Sequence, residues 1–303
     1  MSRTQAKLAL DCQCDLGEGP TWHENALWFV NINAGELHRF DPVTGVHEFK
    51  PAAQHFGGLL GAAVPCTDGH WLLVLKDGFA LFEWPEGRVE PIAQLDNPAL
   101  NNRFNDAKAD PTGRVWAGTM DMNIAPDLAA LYRLDHDHTI TTQVEKISLS
   151  NGLAWSSDAK KMYYIDTLTG RVDVFDFDGD APAPHAPAIN RRTLHEFGKF
   201  DGSPDGMTID ADDNLWVALW GGSKLVHLDG NTGEQLGEIG LPASQVTSCA
   251  FGGPDHKDLY ITTARGGLTG QQSLEQPHAG GLFVATPDVG GRPADLFGNP
   301  ADR

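Results

Sequence analysis

Six segments of the chain repeat the same succession of short apolar runs, and this repeat constrains the fold more than any other feature. Each segment begins with a short apolar run, passes through a polar turn into a run rich in Trp, Tyr, Val and Leu, and then turns into a third run. The segments begin at residues 19, 61, 105, 151, 205 and 247, which are 42 to 54 residues apart. This period is typical of propeller blades with four antiparallel strands. The sequence therefore predicts an all-β, six-bladed β-propeller.

The repeats occupy nearly the whole chain, and we expect a single domain spanning 1–303. No segment carries a sustained apolar stripe with the period of a helix, which argues against a helical solenoid or a sheet of βαβ units. A closed ring needs one blade to take a strand from the other end of the chain, and residues 7–11 are predicted to form the outer strand of the last blade. The Pro- and Ala-rich stretch 178–188 is predicted to be a loop of blade four, followed by a fourth strand at 192–197.

The charge balance limits the partners of this protein. Acidic residues number 41 against 22 basic ones, so the formal net charge is −19 with neutral histidines. A field of this sign repels nucleic acids and anionic membranes, and neither is expected as a partner. Residues 1–10 lack the apolar core of a signal peptide and no long apolar window occurs, so we expect a cytoplasmic protein. No segment is left over for assembly, and we expect a monomer.

The cysteines are too few and too scattered for a disulfide scaffold, and they lack the second pair that a structural zinc site would require. We expect them to be reduced and mostly buried. They are Cys12, Cys14, Cys66 and Cys249.

Polar residues recur at one phase of the repeat. Aligning the repeats on their first strands places six residues at the channel end of the innermost strand: Glu18, Leu60, Asn105, Asn151, Asp205 and Thr247. Four of the six offer a carboxylate or amide oxygen, the ligand type that suits Ca²⁺, Mg²⁺ or Mn²⁺. Two carboxylates in a narrow channel repel each other unless a cation lies between them. The pattern therefore predicts a metal site on the propeller axis.

Simpler explanations exist for each motif taken alone. Asn-Gly and Asp-Gly are common turn dipeptides, so any one of them is more often a turn than a ligand. His136 and His138 have metal-ligand side chains but fall in a predicted solvated turn between outer strands. No nucleophile elbow, phosphate-binding loop or zinc-protease motif is present.

Several stretches together resemble a known family. They follow one another along the chain at 16–20 (LGEGP), 102–106 (NRFND), 117–120 (AGTM), 150–155 (SNGLAW), 203–207 (SPDGM), 247–252 (TSCAFG) and 279–283 (AGGLF). As a set they resemble the SMP-30/gluconolactonase/luciferin-regenerating-enzyme family, which includes regucalcin and bacterial sugar-acid lactonases. The resemblance implies a six-bladed propeller with one divalent cation at its centre, which could be Ca, Zn, Mn, Mg or Fe.

The resemblance also implies roles for particular residues. Glu18, Asn151 and Asp205 would be metal ligands, and Asn105 would be either a further ligand or a substrate contact. Arg103 would bind hydroxyl or carbonyl oxygens of the substrate. Asp205 would also act as the general base.

One position departs from the family pattern. Three residues beyond the AGTM motif, where regucalcin-like members carry a glutamate, this chain has Asn123. An amide can donate as well as accept hydrogen bonds, so Asn123 is a candidate for setting substrate specificity.

The resemblance implies hydrolysis of an aldonolactone, such as glucono-, xylono- or arabinonolactone, to the free acid. Arg103, Asn105 and Asn123 would orient the substrate hydroxyls. Two alternatives share the same ligand set: a phosphotriesterase or arylesterase type of propeller hydrolase, and a non-enzymatic calcium-binding protein of the regucalcin type. A propeller that serves only as an interaction scaffold would not need the repeated oxygen ligands.

Overall fold

The computed structural model describes residues 3–96, 98–99, 101–179 and 188–299, and within these ranges it contains six sheets. The strands that precede the first blade are β1 (Arg3–Gln5) and β2 (Lys7–Leu10). Blade one consists of β3 (Gly17–His23), β4 (Ala26–Asn31), β5 (Glu36–Phe40) and β6 (His47–Pro51). Blade two consists of β7 (Leu60–Pro65), β8 (Trp71–Leu75), β9 (Gly78–Glu83) and β10 (Arg88–Gln94).

The third and fourth blades follow the same order. Blade three consists of β11 (Asn102–Ala109), β12 (Val115–Asp121), β13 (Ala129–Leu134) and β14 (Ile140–Ile147). Blade four consists of β15 (Ser150–Trp155), β16 (Lys161–Asp166), β17 (Arg171–Phe177) and β18 (Ala188–Glu196). The outer strand β18 begins earlier than predicted, because its first residue, Ala188, pairs with Phe177 at the end of β17. Most of the predicted loop, 180–187, lies outside the described residues.

The last two blades complete the ring. Blade five contains β19 (Ser203–Ile209), β20 (Leu215–Trp220), β21 (Lys224–Leu228) and β22 (Gln235–Gly240). Blade six contains β23 (Val246–Gly252), β24 (Asp258–Thr263) and β25 (Leu282–Ala285), with the short helix α1 (Gly270–Glu275) between the last two. The innermost strands β3, β7, β11, β15, β19 and β23 contact one another in a closed circle. The prediction of a six-bladed β-propeller with four-stranded antiparallel blades is confirmed.

The N-terminal segment closes the ring in two ways. Strand β2 pairs antiparallel with β25 and becomes the outer strand of blade six, as predicted. Strand β1 pairs in parallel with β22 and adds a fifth strand to blade five, which the sequence did not indicate. The N-terminal segment therefore joins blades five and six, and its backbone hydrogen bonds help to hold the ring closed.

The core lies between blades because each sheet buries its faces against its neighbours. The rings of Trp28 in blade one and Trp71 in blade two have centroids 4.5 Å apart. Trp22 of blade one stacks on Tyr260 of blade six with centroids 5.9 Å apart. Tryptophans within the strands thus pack neighbouring blades together.

The C-terminal segment 290–298 crosses the end of the channel at which the innermost strands finish. Its backbone bonds to blade six, where Gly291 N donates to His256 O at 2.7 Å, and to blade two, where Phe297 N donates to Pro65 O at 2.9 Å. Arg292 donates to the carbonyl oxygen of Trp155 in blade four at 3.0 Å. This segment therefore covers the channel end opposite to the one where the innermost strands begin.

No helix in the described ranges has both the length and the apolar character needed to cross a membrane. The domain boundaries, the cytoplasmic location and the monomeric state stay predictions.

Candidate functional site

Every innermost strand has an irregular register near its beginning. The pairing with the second strand shifts between Glu18 and Thr21 in blade one, and the other five blades shift at the equivalent place: Leu60/Ala62, Phe104/Ala107, Ser150/Leu153, Pro204/Met207 and Val246/Ser248. At such a shift the innermost strand has one residue more than the second strand opposite it, which is a β-bulge. A bulge changes the direction of the side chains that it contains. Asn105, Asn151 and Asp205 lie within these bulges, so the dipeptides that could have been ordinary turns are interruptions of strands.

Glycines at the bulges allow the innermost strands to approach closely. A Cβ atom on Gly152 would lie 2.9 Å from the carbonyl oxygen of Asp205, and one on Gly61 would lie 2.6 Å from that of Asn105. Neither distance is compatible with a side chain, so these positions require glycine. The close approach brings the polar side chains of different blades into contact.

A chain of hydrogen bonds links three blades around the axis. Arg103 Nη1 donates to Asn105 Oδ1 at 2.6 Å, and Asn105 Nδ2 donates to Asn151 Oδ1 at 2.9 Å. Asn151 Nδ2 donates to Thr167 Oγ1 at 2.8 Å, and that hydroxyl donates to Pro204 O at 2.8 Å. Because Thr167 holds the nitrogen of Asn151, the Asn151 oxygen faces Asn105 and the axis.

Three buried carboxylates belong to the same group. Glu18, Asp106 and Asp205 expose 5%, 8% and 7% of their surface. Burial raises the pKa of Glu18 to about 8, and the negative charge of Asp106 adds to that shift. Burial also raises the pKa of Asp205 well above its ordinary value, and Glu18 and Asp106 contribute again. The carboxylates therefore disfavour one another's charged forms in the absence of a cation.

Two basic side chains partly offset this negative charge. Burial lowers the pKa of Arg103 to about 10, while Glu18 and Asp205 favour its charged form. Lys108 Nζ donates to Met207 O at 2.9 Å. Burial lowers the pKa of Lys108 as well, and the charge of Asp106 opposes the shift. Arg103 and Lys108 thus lie in the same electrostatic group as the carboxylates.

The structure brings together five of the six predicted site residues and leaves one apart. Glu18, Arg103, Asn105, Asn151 and Asp205 interact through the hydrogen bonds and charges described above. Asn123 is exposed in the loop between β12 and β13, where its backbone N–H donates to Asp121 Oδ1 at 2.9 Å. Its contribution to substrate binding stays a prediction.

Sequence reasoning did not assign a role to three residues of this group: Asp106, Lys108 and Thr167. Asp106 directly follows Asn105 in the 102–106 motif, and this position could have indicated a role in the site. Lys108 lies two residues further along the same innermost strand, and a lysine in a strand that lines a channel could have been noticed. Thr167 lies in a 3-10 turn (Thr167–Thr169) between β16 and β17, where nothing in the sequence distinguishes it.

A comparison with family profiles matches residues 16–265 to the SMP-30/Gluconolactonase/LRE-like region. The chain belongs to this family. YvrE of Bacillus subtilis (strain 168), whose name assigns it sugar lactone lactonase activity only provisionally, is 40% identical over 288 residues, which cover 94% of this chain and 96% of YvrE. Regucalcin of Danio rerio is 37% identical over 290 residues, which cover 94% of this chain and 95% of the relative.

A solved structure of a protein named regucalcin has the same fold. The regucalcin of Agrobacterium tumefaciens, described as a calcium-binding protein, superposes with a TM-score of 0.89 at 25% sequence identity. The superposition covers 98% of this chain and all of the other. The resemblance noted from the sequence motifs is confirmed.

The oxygen atoms on the axis fit a divalent cation chemically. Among the described residues, no group of three or more His, Cys, Asp or Glu side chains is arranged to hold a metal ion. The candidate ligands instead combine the carboxylates of Glu18 and Asp205 with the amide oxygen of Asn151. Together with Asp106, Arg103 and Lys108, the ionised group would carry one net negative charge. A divalent cation would change that charge to plus one, which complements a substrate that becomes negative during reaction.

A cavity of about 270 Å³ occupies the channel on the side of the C-terminal segment. Asp106 and Lys108 line it, and Arg292 and Asp295 lie at its covered end. None of the candidate ligands, Glu18, Asn105, Asn151 and Asp205, lines this cavity. A substrate is therefore expected to approach from the face where the innermost strands begin.

Proposed function

We propose that this protein is a metal-dependent lactonase that hydrolyses a sugar-acid lactone, such as glucono-, xylono- or arabinonolactone, to the free acid. The observation that carries the proposal is the convergence of Glu18, Asn151 and Asp205 with Arg103 at one end of the channel. The family includes proteins named for lactonase activity, and this polar group suits a small polyhydroxylated substrate. An aryl ester or phosphotriester would instead favour apolar surroundings.

Glu18, Asn151 and Asp205 would hold one divalent cation, with Asn105 beside it. Calcium, zinc, manganese, magnesium and iron are the candidates. When bound, such an ion supplies a Lewis acid that polarises the lactone carbonyl and stabilises negative charge on its oxygen.

Arg103 and Asn105 would orient the substrate. Arg103 already uses Nη1 to donate to Asn105 Oδ1 and to Phe104 O, so one edge of the guanidinium is fixed in place. Its other N–H groups remain to donate to hydroxyl or carbonyl oxygens of a lactone. Asn123, on the adjacent exposed loop, would contact a more distant hydroxyl and so contribute to specificity.

Asp205 would transfer the proton. In its ionised form it accepts a proton from water as the water oxygen bonds to the carbonyl carbon. The bond from that carbon to the ring oxygen then breaks, and Asp205 returns the proton to the ring oxygen. The products are the free acid and a hydroxyl group. The same carboxylate would thus act first as the base and then as the acid.

A second function, calcium binding without turnover, is supported by the description of the Agrobacterium tumefaciens regucalcin as a calcium-binding protein. The same ligand set would serve it. The two functions differ in whether a lactone is consumed when the ion is bound.

A panel of aldonolactones tests the proposal. Acid release is followed with a pH indicator before chelation, after chelation and after metal is added back. We expect acid release that stops on chelation and returns with one of the candidate ions. Asp205→Ala should lose both metal retention and hydrolysis, whereas Asp212→Ala, at an exposed turn residue, should keep both. Metal binding with no acid release from any lactone would favour the calcium-binding function. Undiminished turnover by a metal-free protein would contradict the proposed mechanism.

A further inference from the structure

Two cysteines lie two residues apart in the segment that joins the closing strand β2 to the innermost strand β3. Cys14 is 1% exposed, and Cys12 is partly exposed. Both pack in one apolar cluster with Leu282 of blade six and Phe29 of blade one. The two thiols therefore share one environment but differ in their access to solvent.

The backbone folds the two thiols toward each other. Gln13, between them, has a φ angle of 52°, in the left-handed region. Even an extended chain separates residues i and i+2 by at most about 7 Å, and a turn shortens that distance. A disulfide needs Cα atoms about 4.4–6.8 Å apart. The carbonyl oxygen of Gly280 accepts hydrogen bonds from both residues, from the thiol of Cys12 at 3.3 Å and from the backbone N–H of Cys14 at 2.8 Å, so the Cys12 side chain folds back toward Cys14.

The two thiols are chemically unequal. The neighbouring Cys14 thiol lowers the pKa of Cys12. The Cys12 thiol and burial together raise the pKa of Cys14. A partly exposed thiol that ionises readily beside a protected second thiol is the arrangement found in reversible redox pairs.

We propose that Cys12 and Cys14 form a redox-active dithiol that exchanges with small disulfides such as glutathione disulfide. The Cys12 thiolate attacks one sulfur of glutathione disulfide, forms a mixed disulfide and releases one glutathione. Cys14 then loses its proton and attacks Cys12 Sγ, which releases the second glutathione. The dithiol gives up two electrons and two protons, and glutathione disulfide takes them up to become two glutathione molecules.

The other two cysteines lack these properties. Cys66 and Cys249 are both buried, and neither has a second cysteine near it in the sequence. Burial raises the pKa of Cys249 to about 12. These residues serve as internal controls because they are expected to stay reduced.

The ring that this disulfide would close is too small for a structural role. The chain-entropy contribution of a disulfide grows with the length of the loop that it closes, and here only one residue separates the cysteines. The bond therefore adds little stability, which suits a pair that is oxidised and reduced reversibly.

The test uses the full-length protein in glutathione redox buffers. Samples are quenched with acid, denatured, alkylated and weighed intact, and the modified residues are mapped by peptide analysis. We expect excess glutathione disulfide to remove two of the four alkylatable thiols, with the mass loss of two hydrogen atoms and a Cys12–Cys14 link. Reduced glutathione should restore all four thiols.

Single variants separate the two roles. Cys14→Ser should stop at a mixed disulfide and gain one glutathionyl group at Cys12. Cys12→Ser should keep its remaining thiols free, and Cys66→Ser should form the same link as the wild type. The proposal is overturned if the wild type keeps every thiol in excess glutathione disulfide. It is also overturned if Cys12→Ser is glutathionylated as readily as Cys14→Ser. Because the wild-type result decides by itself, a variant that fails to fold leaves the test intact.

Discussion

Glu18 should make the stability of the ion-free protein fall as the pH rises. Burial and the charge of Asp106 raise its pKa from 4.5 to about 8. The folded state therefore binds this proton more tightly than the unfolded state does. The stabilisation is fully present below the unfolded pKa and is lost as the pH rises through the folded pKa. Asp205, whose pKa is raised for the same reason, acts in the same direction.

The size of the effect follows from the Glu18 shift. One pKa unit corresponds to about 1.4 kcal/mol, so between about pH 6.5 and 8.5 the free energy of unfolding should fall by about 2 kcal/mol. For a chain of this length that loss lowers Tm by about 3 °C. Histidines act in the opposite direction. Burial lowers the pKa of His38 to about 3, whereas its unfolded form is still partly protonated at pH 6.5, so His38 returns about 0.4 kcal/mol across this window. The comparison with Glu18→Gln isolates the carboxylate because both proteins carry the same histidines.

Thermal unfolding of chelated protein at the two pH values measures the effect. Wild type should show the fall in Tm, and Glu18→Gln, which cannot ionise, should show a smaller one. A saturating divalent cation should remove the fall in the wild type, because the carboxylates are then ionised at both pH values. A chelated wild type with equal Tm at both values would refute the burial argument. A Glu18→Gln variant whose Tm falls between the two pH values as much as that of the wild type would refute it too.

Three further substitutions test the group on the axis. Thr167→Val removes the hydroxyl that orients Asn151, so calorimetry should find metal affinity reduced about 10- to 100-fold; unchanged affinity would contradict that role. Arg103→Ala should lower lactone kcat/KM by about 100- to 1,000-fold with metal affinity retained, and unchanged kinetics would remove Arg103 from the site. Lys108→Met should cost about 3–5 kcal/mol in urea unfolding because it leaves Asp106 buried without its cation. Adding Asp106→Asn should recover most of that loss, and a double variant as unstable as the single one would exclude the pairing.

The six blades and the closing strand were accessible from the sequence because they depend on local patterns. Apolar alternation and turn residues act within a few positions, and their recurrence every 42 to 54 residues identifies the blade. The repeat phase also aligned Glu18, Asn151 and Asp205 at the start of their innermost strands, and residues at that end of a closed ring approach one axis. The alignment was wrong by one residue in blade one, because Asn151 and Asp205 lie inside their bulges whereas Glu18 lies one residue before its bulge.

Other features depended on how distant parts of the chain meet. The parallel addition of β1 to blade five, and the C-terminal segment that covers one end of the channel, join residues far apart in sequence. The link from Arg103 through Asn105 and Asn151 to Thr167 likewise crosses between blades.

The sequence by itself determined the blade count, the ring closure by β2 and the candidate oxygen ligands at the start of the innermost strands. Only the tertiary structure decided that Asp106 and Lys108 join their electrostatic group and that Thr167 orients Asn151. The physical reason is range: strand patterns arise from neighbouring residues, whereas burial, pKa shifts and amide orientation depend on whatever the folded ring brings within a few ångströms.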